Sequence, residues 1–184
     1  ISQIIKSNFG CYDTLTKKID IYPKPITLST FQNVCSYDSL LIPYQVNVGT
    51  DTFKRIKIYW GNGDSSSSNS DSGRFSYLYP NAGTYFFTMV SENIHQCTDT
   101  LFQKIEIHPV PTSKIYTIDT AQCFNGNLFS LADSSQIIAG SYHRKWSYLS
   151  DTASQIQINY SVEGAYSVSL YTVSDSGCID TAVQ

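Results

Sequence analysis

Charge is scarce in this chain. Asp, Glu, Lys and Arg make up 15% of its residues and leave a formal net charge of −3 at pH 7. There is no basic face to collect phosphates or anionic lipid, which argues against nucleic-acid and membrane-surface binding. No run of about eighteen apolar residues occurs, so no stretch reads as a bilayer-crossing helix. No cleavable leader pattern is visible either, and residue 1 falls inside a repeat, so the residues read as a window on a longer protein. Helical periodicity is missing throughout. No two cysteines stand close in sequence, and His95, His108 and His143 share no ligand spacing with them, which argues against metal ligation by these residues. There is no nucleophile elbow, and the many Ser and Asp single out no triad, so the expectation is that the chain is not an enzyme and uses no cofactor.

What is abundant is hydroxyl and aromatic. Aromatics reach 14%, carried mostly by fourteen Tyr, a composition suited to half-buried strands with a hydroxylated outer face. The chain also repeats itself. Tyr79, Gly83, Tyr85 and Cys97 recur at the same spacings as Tyr160, Gly164, Tyr166 and Cys178, and Cys11-x-Asp13-Thr14-Leu15 with Lys18, Ile19, Ile21, Pro23 and Pro25 matches Cys97-x-Asp99-Thr100-Leu101 with Lys104, Ile105, Ile107, Pro109 and Pro111. A period of 86 and then 81 residues between the matching cysteines signals a tandem array of one domain type. Prolines that stop a ladder place the boundaries near residues 25 and 111. The expected organisation is the closing strands of one repeat over 1–25, a full repeat over 26–111, and a repeat lacking its last strand over 112–184.

Between the boundaries the apolar period is two. Ile42, Tyr44, Val46 and Val48 form one inward set, followed by Ile56, Ile58 and Trp60, by Phe75, Tyr77 and Tyr79, and by Tyr85, Phe87 and Met89. In the last repeat the sets are Ile156, Ile158 and Tyr160, then Tyr166, Val168 and Leu170. A strand is also expected through Lys18–Ile21. About seven short strands in roughly 85 residues predict an antiparallel sandwich of two sheets. Gly83 and Gly164 are expected at backbone angles other residues avoid, and Tyr79 and Tyr160 to return a hydroxyl to nearby backbone as in a tyrosine corner.

Trp60-Gly61-Asn62-Gly63-Asp64, followed by Tyr79-x-x-x-Gly83-Thr84-Tyr85, resembles the polycystic-kidney-disease-type (PKD) domain. With the added Cys-x-Asp-Thr, the chain looks like the tandem PKD-like repeats of large surface proteins in Bacteroidetes-type bacteria. Asn62 stands where that family usually has Asp, and Trp146-Ser147-Tyr148-Leu149-Ser150-Asp151 keeps the aromatics without the glycines. The resemblance implies an all-β chain of tandem immunoglobulin-like sandwiches. It also implies a non-catalytic spacer in a cell-surface adhesin, with a tie to gliding motility and type IX export.

The five cysteines fall into two types. Cys11, Cys97 and Cys178 precede x-Asp-Thr, while Cys35 and Cys123 stand near the start of each repeat. One of each type per repeat suggests the disulfides Cys35–Cys97 and Cys123–Cys178, with Cys11 left over and an oxidising, extracellular location. Reduced, buried thiols are the alternative. The loop from Asn62 to Gly73 gathers oxygen ligands suited to calcium, or is simply a solvated loop. Six Asp-Thr/Ser-apolar tripeptides offer Thr14, Ser39, Thr100, Thr120, Thr152 and Thr181 as O-glycosylation acceptors in such a host. Equally, the Asp caps a turn and the Thr lies in a strand. The expected partners are neighbouring repeats of the same chain, with surface glycans or other cell-surface proteins as further candidates through exposed aromatics such as Tyr59.

Overall fold

Alternation with a period of two runs through most of the chain. In the computed structural model, which describes residues 1–184, it produces sixteen strands and no helix. β1 (Ser2–Lys6) and β2 (Tyr12–Thr16) form an antiparallel hairpin. The strand expected through Lys18–Ile21 does not form. β2 ends opposite the start of β1, and no other strand lies beside the following residues to continue a ladder.

Eight strands build the first sandwich: β3 (Ile26–Ser29), β4 (Val34–Cys35), β5 (Ser39–Asn47), β6 (Phe53–Tyr59), β7 (Ser65–Ser68), β8 (Ser72–Leu78), β9 (Gly83–Asn93) and β10 (Thr98–His108). They sort into a sheet of order β3-β5-β8 and a sheet of order β4-β10-β9-β6-β7, with β4 parallel to β10 and every other pair antiparallel. β9 between its hairpin partner β10 and β6 in one sheet, with β3, β5 and β8 in the other, is the immunoglobulin-like arrangement. In β5, Leu40, Ile42, Tyr44 and Val46 are buried while the residues between them face solvent. These meet Ile56, Ile58, Trp60, Phe87, Met89, Ile105 and Ile107 of the facing sheet in one core of thirteen residues.

The Trp60 corner fixes how the sheets join. The ring of Trp60 is fully buried, its indole N–H donates to Ser66 Oγ at 3.0 Å, and the Tyr79 hydroxyl donates to the Trp60 carbonyl at 2.7 Å. Tyr79 thus returns its hydroxyl to backbone, but to a carbonyl 19 residues upstream rather than within its own corner as expected. Gly61 follows at φ +80°, where a Cβ would sit 2.2 Å from the Phe86 carbonyl oxygen. That backbone leaves no room for any other residue.

The second sandwich contains β11 (Ile115–Thr117), β12 (Phe129–Asp133), β13 (Tyr142–Trp146), β14 (Gln155–Ile158), β15 (Ser169–Ser174) and β16 (Ile179–Val183), in sheets of order β11-β12-β14 and β13-β15-β16. The order matches the first sandwich without counterparts of β4 and β7. Its separate core holds six residues: Leu131, Trp146, Ile156, Ile158, Val168 and Leu170. Trp146 occupies the place of Trp60, with its indole N–H on the Ala153 carbonyl at 2.9 Å. Two expectations fail here. Tyr160 makes no corner bond; its ring stacks on exposed Tyr166 at 3.7 Å instead. Gly164 lies outside the positive-φ region that Gly83 occupies at +156°. The common feature is a tyrosine ring over each glycine, with Tyr85 and Tyr166 donating to the carbonyls of Asn81 and Val162.

Candidate functional site: the junction between sandwiches

Three turns in the chain are built alike, and each carries a cysteine. The Ser7, Asn93 and Ser174 amides donate to the carbonyls of Cys11, Cys97 and Cys178 at 2.8, 3.1 and 2.8 Å. In return the cysteine amides donate to Ser7 Oγ, Asn93 Oδ1 and Ser174 Oγ at 3.1, 2.8 and 3.0 Å. The residue before each cysteine, Gly10, Gln96 or Gly177, is left-handed at φ +81°, +65° or +84°. A short polar side chain four residues before the cysteine is therefore what closes each turn.

The second and third turns hold the start of a sandwich. The Thr27 amide donates to Asp99 Oδ2 at 2.9 Å, and Thr27 Oγ1 meets Ser91 Oγ at 2.7 Å. One period on, the Ser113 amide donates to Asp180 Oδ2 at 2.6 Å, and Ser113 Oγ meets Thr172 Oγ1 at 2.7 Å. Pro25 and Pro111, two residues earlier in each case, are buried. Each linker is thus clamped to the last hairpin of the sandwich it enters. Lys24 adds an ion pair to Asp99 Oδ1 at 2.7 Å, Asn93 Nδ2 donates to the Pro23 carbonyl at 3.0 Å, and Tyr22 stacks on His95 at 3.4 Å.

Burial pushes the Asp99 carboxyl up, but the Lys24 ammonium and the Thr27 and Thr100 amides outweigh it and hold the group below its ordinary value. A depressed carboxylate contributes stability that is full above its unfolded pKa and is lost as pH falls through the folded one. Asp99→Ala is expected to cost about 1–3 kcal/mol by leaving the Thr27 amide unpaired. The loss shrinks as pH falls below the ordinary carboxylate range, in denaturation curves compared between pH 7 and pH 3.

At the second junction the clamp is covalent. Cys35 bonds Cys178, with Cα atoms 5.7 Å apart across 143 residues of sequence. Cys35 ends β4, which runs beside Ile107 and His108 at the exit of the first sandwich, where the Ser36 amide donates to the His108 carbonyl at 2.8 Å. Cys178 lies fully buried in the clamping turn of the second sandwich. The disulfide therefore joins the two sandwiches rather than lying within either.

This corrects the expected pairs Cys35–Cys97 and Cys123–Cys178. Cys97 immediately precedes β10 and Cys35 lies at its far end, beside His108; eleven residues of strand at about 3.3 Å each put them roughly 35 Å apart, far beyond disulfide reach. Cys123 is likewise removed from Cys178, because β11 carries the chain away from the clamp at Ser113 before the loop that holds it. Cys11, Cys97 and Cys123 are unpaired, the first and last exposed.

Of the other candidates, only Thr100 and Thr181 directly follow the clamp aspartates. The loop after Asn62 is ordered: Ser65–Ser68 form β7 on the open edge of β6, and the Asp64 carboxylate accepts from the Tyr77 hydroxyl. No group of three or more His, Cys, Asp or Glu is placed to hold a metal ion. Thr14, Ser39, Thr100, Thr120, Thr152 and Thr181 are all exposed. Within their tripeptides, Asp99 and Asp180 serve as clamp acceptors. Sequence reasoning missed that role, although the recurring Cys-x-Asp spacing was its signal. A cavity of about 510 Å³ lies in the second sandwich beside Gly164–Tyr166. In the first sandwich β10 covers the matching residues, pairing Ile105 with Tyr85 and Ile107 with Gly83.

No family model matches the chain, and no curated protein does. Among solved structures it is similar to the PKD1 domain of Vibrio anguillarum Epp, at 16% identity and TM-score 0.42 over 48% of this chain and 98% of that one. It is also similar to fibronectin(III)-like modules of Clostridium thermocellum CbhA, at 11% identity and TM-score 0.42 over 86% and 91%. A third similarity is to carbohydrate-binding modules of the β-sandwich superfamily, at 9% identity and TM-score 0.45 over 89% and 85%.

Proposed function

We propose that this chain is a non-catalytic spacer segment of an extracellular, multi-repeat surface protein, a stalk that holds an adhesive part away from the cell. The observation that carries the reading is the clamped junction with its Cys35–Cys178 bond. In an array whose members touch only their neighbours, stiffness is decided at the joints, and here the joint is short, proline-lined and cross-linked. A structural disulfide also fits an oxidising, extracytoplasmic setting. The carboxylates with depressed proton affinity support a structural role. Asp51 holds His95 and the Thr52 amide, Glu92 holds Lys54 and Arg55, Asp133 holds Ser135 and Tyr142 beside Arg144, and Asp175 holds Ser141. Small-angle X-ray scattering tests the reading. The oxidised chain is expected to give one narrow, elongated distance distribution that broadens on reduction; a broad, flexible distribution with the bond intact contradicts it.

A second reading rests on the outer face of the larger sheet. Tyr59 pairs with Thr88, which pairs with Phe102, and exposed Phe86 and Phe102 stack with centroids 5.5 Å apart. Exposed rings in a row form a platform on which a sugar or a partner surface can stack. Binding on a glycan array that falls at least tenfold with Tyr59→Ala supports that role, and unchanged binding removes it.

A further inference from the structure

We infer that Cys97 and Cys123 are the open halves of two more bonds of the Cys35–Cys178 kind: Cys97 bonds a cysteine of a sandwich preceding the first, and Cys123 a cysteine of a sandwich following the second. The inference rests on the spacer reading, since it takes the neighbours to be further repeats of the same polypeptide. The bonded pair supplies the rule, because a turn cysteine of one sandwich joins the early-loop cysteine of the sandwich before it.

Cys97 is a turn cysteine in every contact that Cys178 makes within its own sandwich. It has the same reciprocal bonds with the residue four before it, the same left-handed residue preceding it, and the same clamping aspartate two residues on. It also stands at the same place, against the linker by which the chain enters the sandwich. Cys11 sits in a third copy of that turn.

Cys123 is the early-loop counterpart of Cys35. Two residues after Cys35, the Tyr37 amide donates to the Tyr79 carbonyl at 3.3 Å. Four residues after Cys123, Asn127 Nδ2 donates to the carbonyl of Tyr160, the equivalent tyrosine, at 2.9 Å. Both cysteines are therefore held at the same end of their sandwiches, the end away from the clamp. A single internal bond with three leftover thiols is then what a continuous ladder leaves within these residues.

Each further bond takes two thiols to one disulfide. The two protons and two electrons pass to an exchangeable disulfide oxidant, which is reduced to its dithiol, the same chemistry that formed Cys35–Cys178.

The test is non-reducing peptide mapping of the full-length protein after alkylation of free thiols. The expected map links Cys97 to a cysteine upstream of Ile1 and Cys123 to one downstream of Gln184, within a single chain. Cys97→Ser then exposes one upstream cysteine to alkylation, a mass gain of one label. Alkylation of Cys97 or Cys123 in the unreduced native protein, a bond from either to any cysteine of residues 1–184, or a bond between two chains overturns the inference. The Cys35–Cys178 peptide is the internal reference. Its presence beside alkylated Cys97 defeats this inference alone, and its absence defeats the spacer junction as well.

Discussion

Trp60→Ala is expected to destabilise the first sandwich by about 3–5 kcal/mol, the range for removing a large aromatic from a packed core, which is a large share of a small domain's stability. The ring is fully buried, stacks on Tyr77 at 4.5 Å, and meets Phe75 edge-on at 6.3 Å. Its loss opens a void between the two sheets and leaves Ser66 Oγ without its indole donor. The chain has two tryptophans, so in the variant Trp146 is the sole tryptophan, and its emission reports on the second sandwich. Hydrogen exchange of β6, β9 and β10 amides then reads the damage directly. Protection is expected to collapse there, while the Trp146 emission transition, linked to the first sandwich through the Cys35–Cys178 bond, moves to lower denaturant by a smaller amount.

The second large effect is expected from Cys178→Ser. A bond closing a 143-residue loop restricts the unfolded chain, and its removal costs about 2–5 kcal/mol in the chain-entropy view. The bond also couples two cores that share no buried residue. In the oxidised chain the two sandwiches are expected to lose structure over overlapping denaturant ranges. In Cys178→Ser the smaller core of the second sandwich unfolds first and alone, so Trp146 emission shifts at lower denaturant than far-UV signal from the first. Coincident transitions in both proteins would show that the bond carries no coupling.

The strands were readable because burial in a sandwich imposes a period of two. Ile42, Tyr44 and Val46, then Ile56, Ile58 and Trp60, then Phe87 and Met89 were marked as inward-facing, and all are buried. The same rule marked Tyr166, which is exposed, since no ladder reaches it before β15 starts at Ser169. It missed β7, because Ser65–Ser68 carries no apolar contrast and becomes a strand only through the free edge of β6. The disulfide went wrong for a different reason. Counting cysteines per period treats the sandwich as a point, whereas a strand of eleven residues separates its two ends. Cysteines of one repeat at opposite ends belong to different joints. The clamp aspartates were visible as a repeated spacing, but their partners Thr27 and Ser113 lie 72 and 67 residues away in sequence, a distance no local pattern spans.

Non-reducing peptide mapping of the oxidised 184-residue chain bears most directly on the central claim that the sandwiches are stapled to each other. A cross-linked peptide pair containing Cys35 and Cys178, with Cys11, Cys97 and Cys123 alkylated, is the predicted result. Recovery of Cys35 joined to Cys97, or Cys123 joined to Cys178, would contradict it.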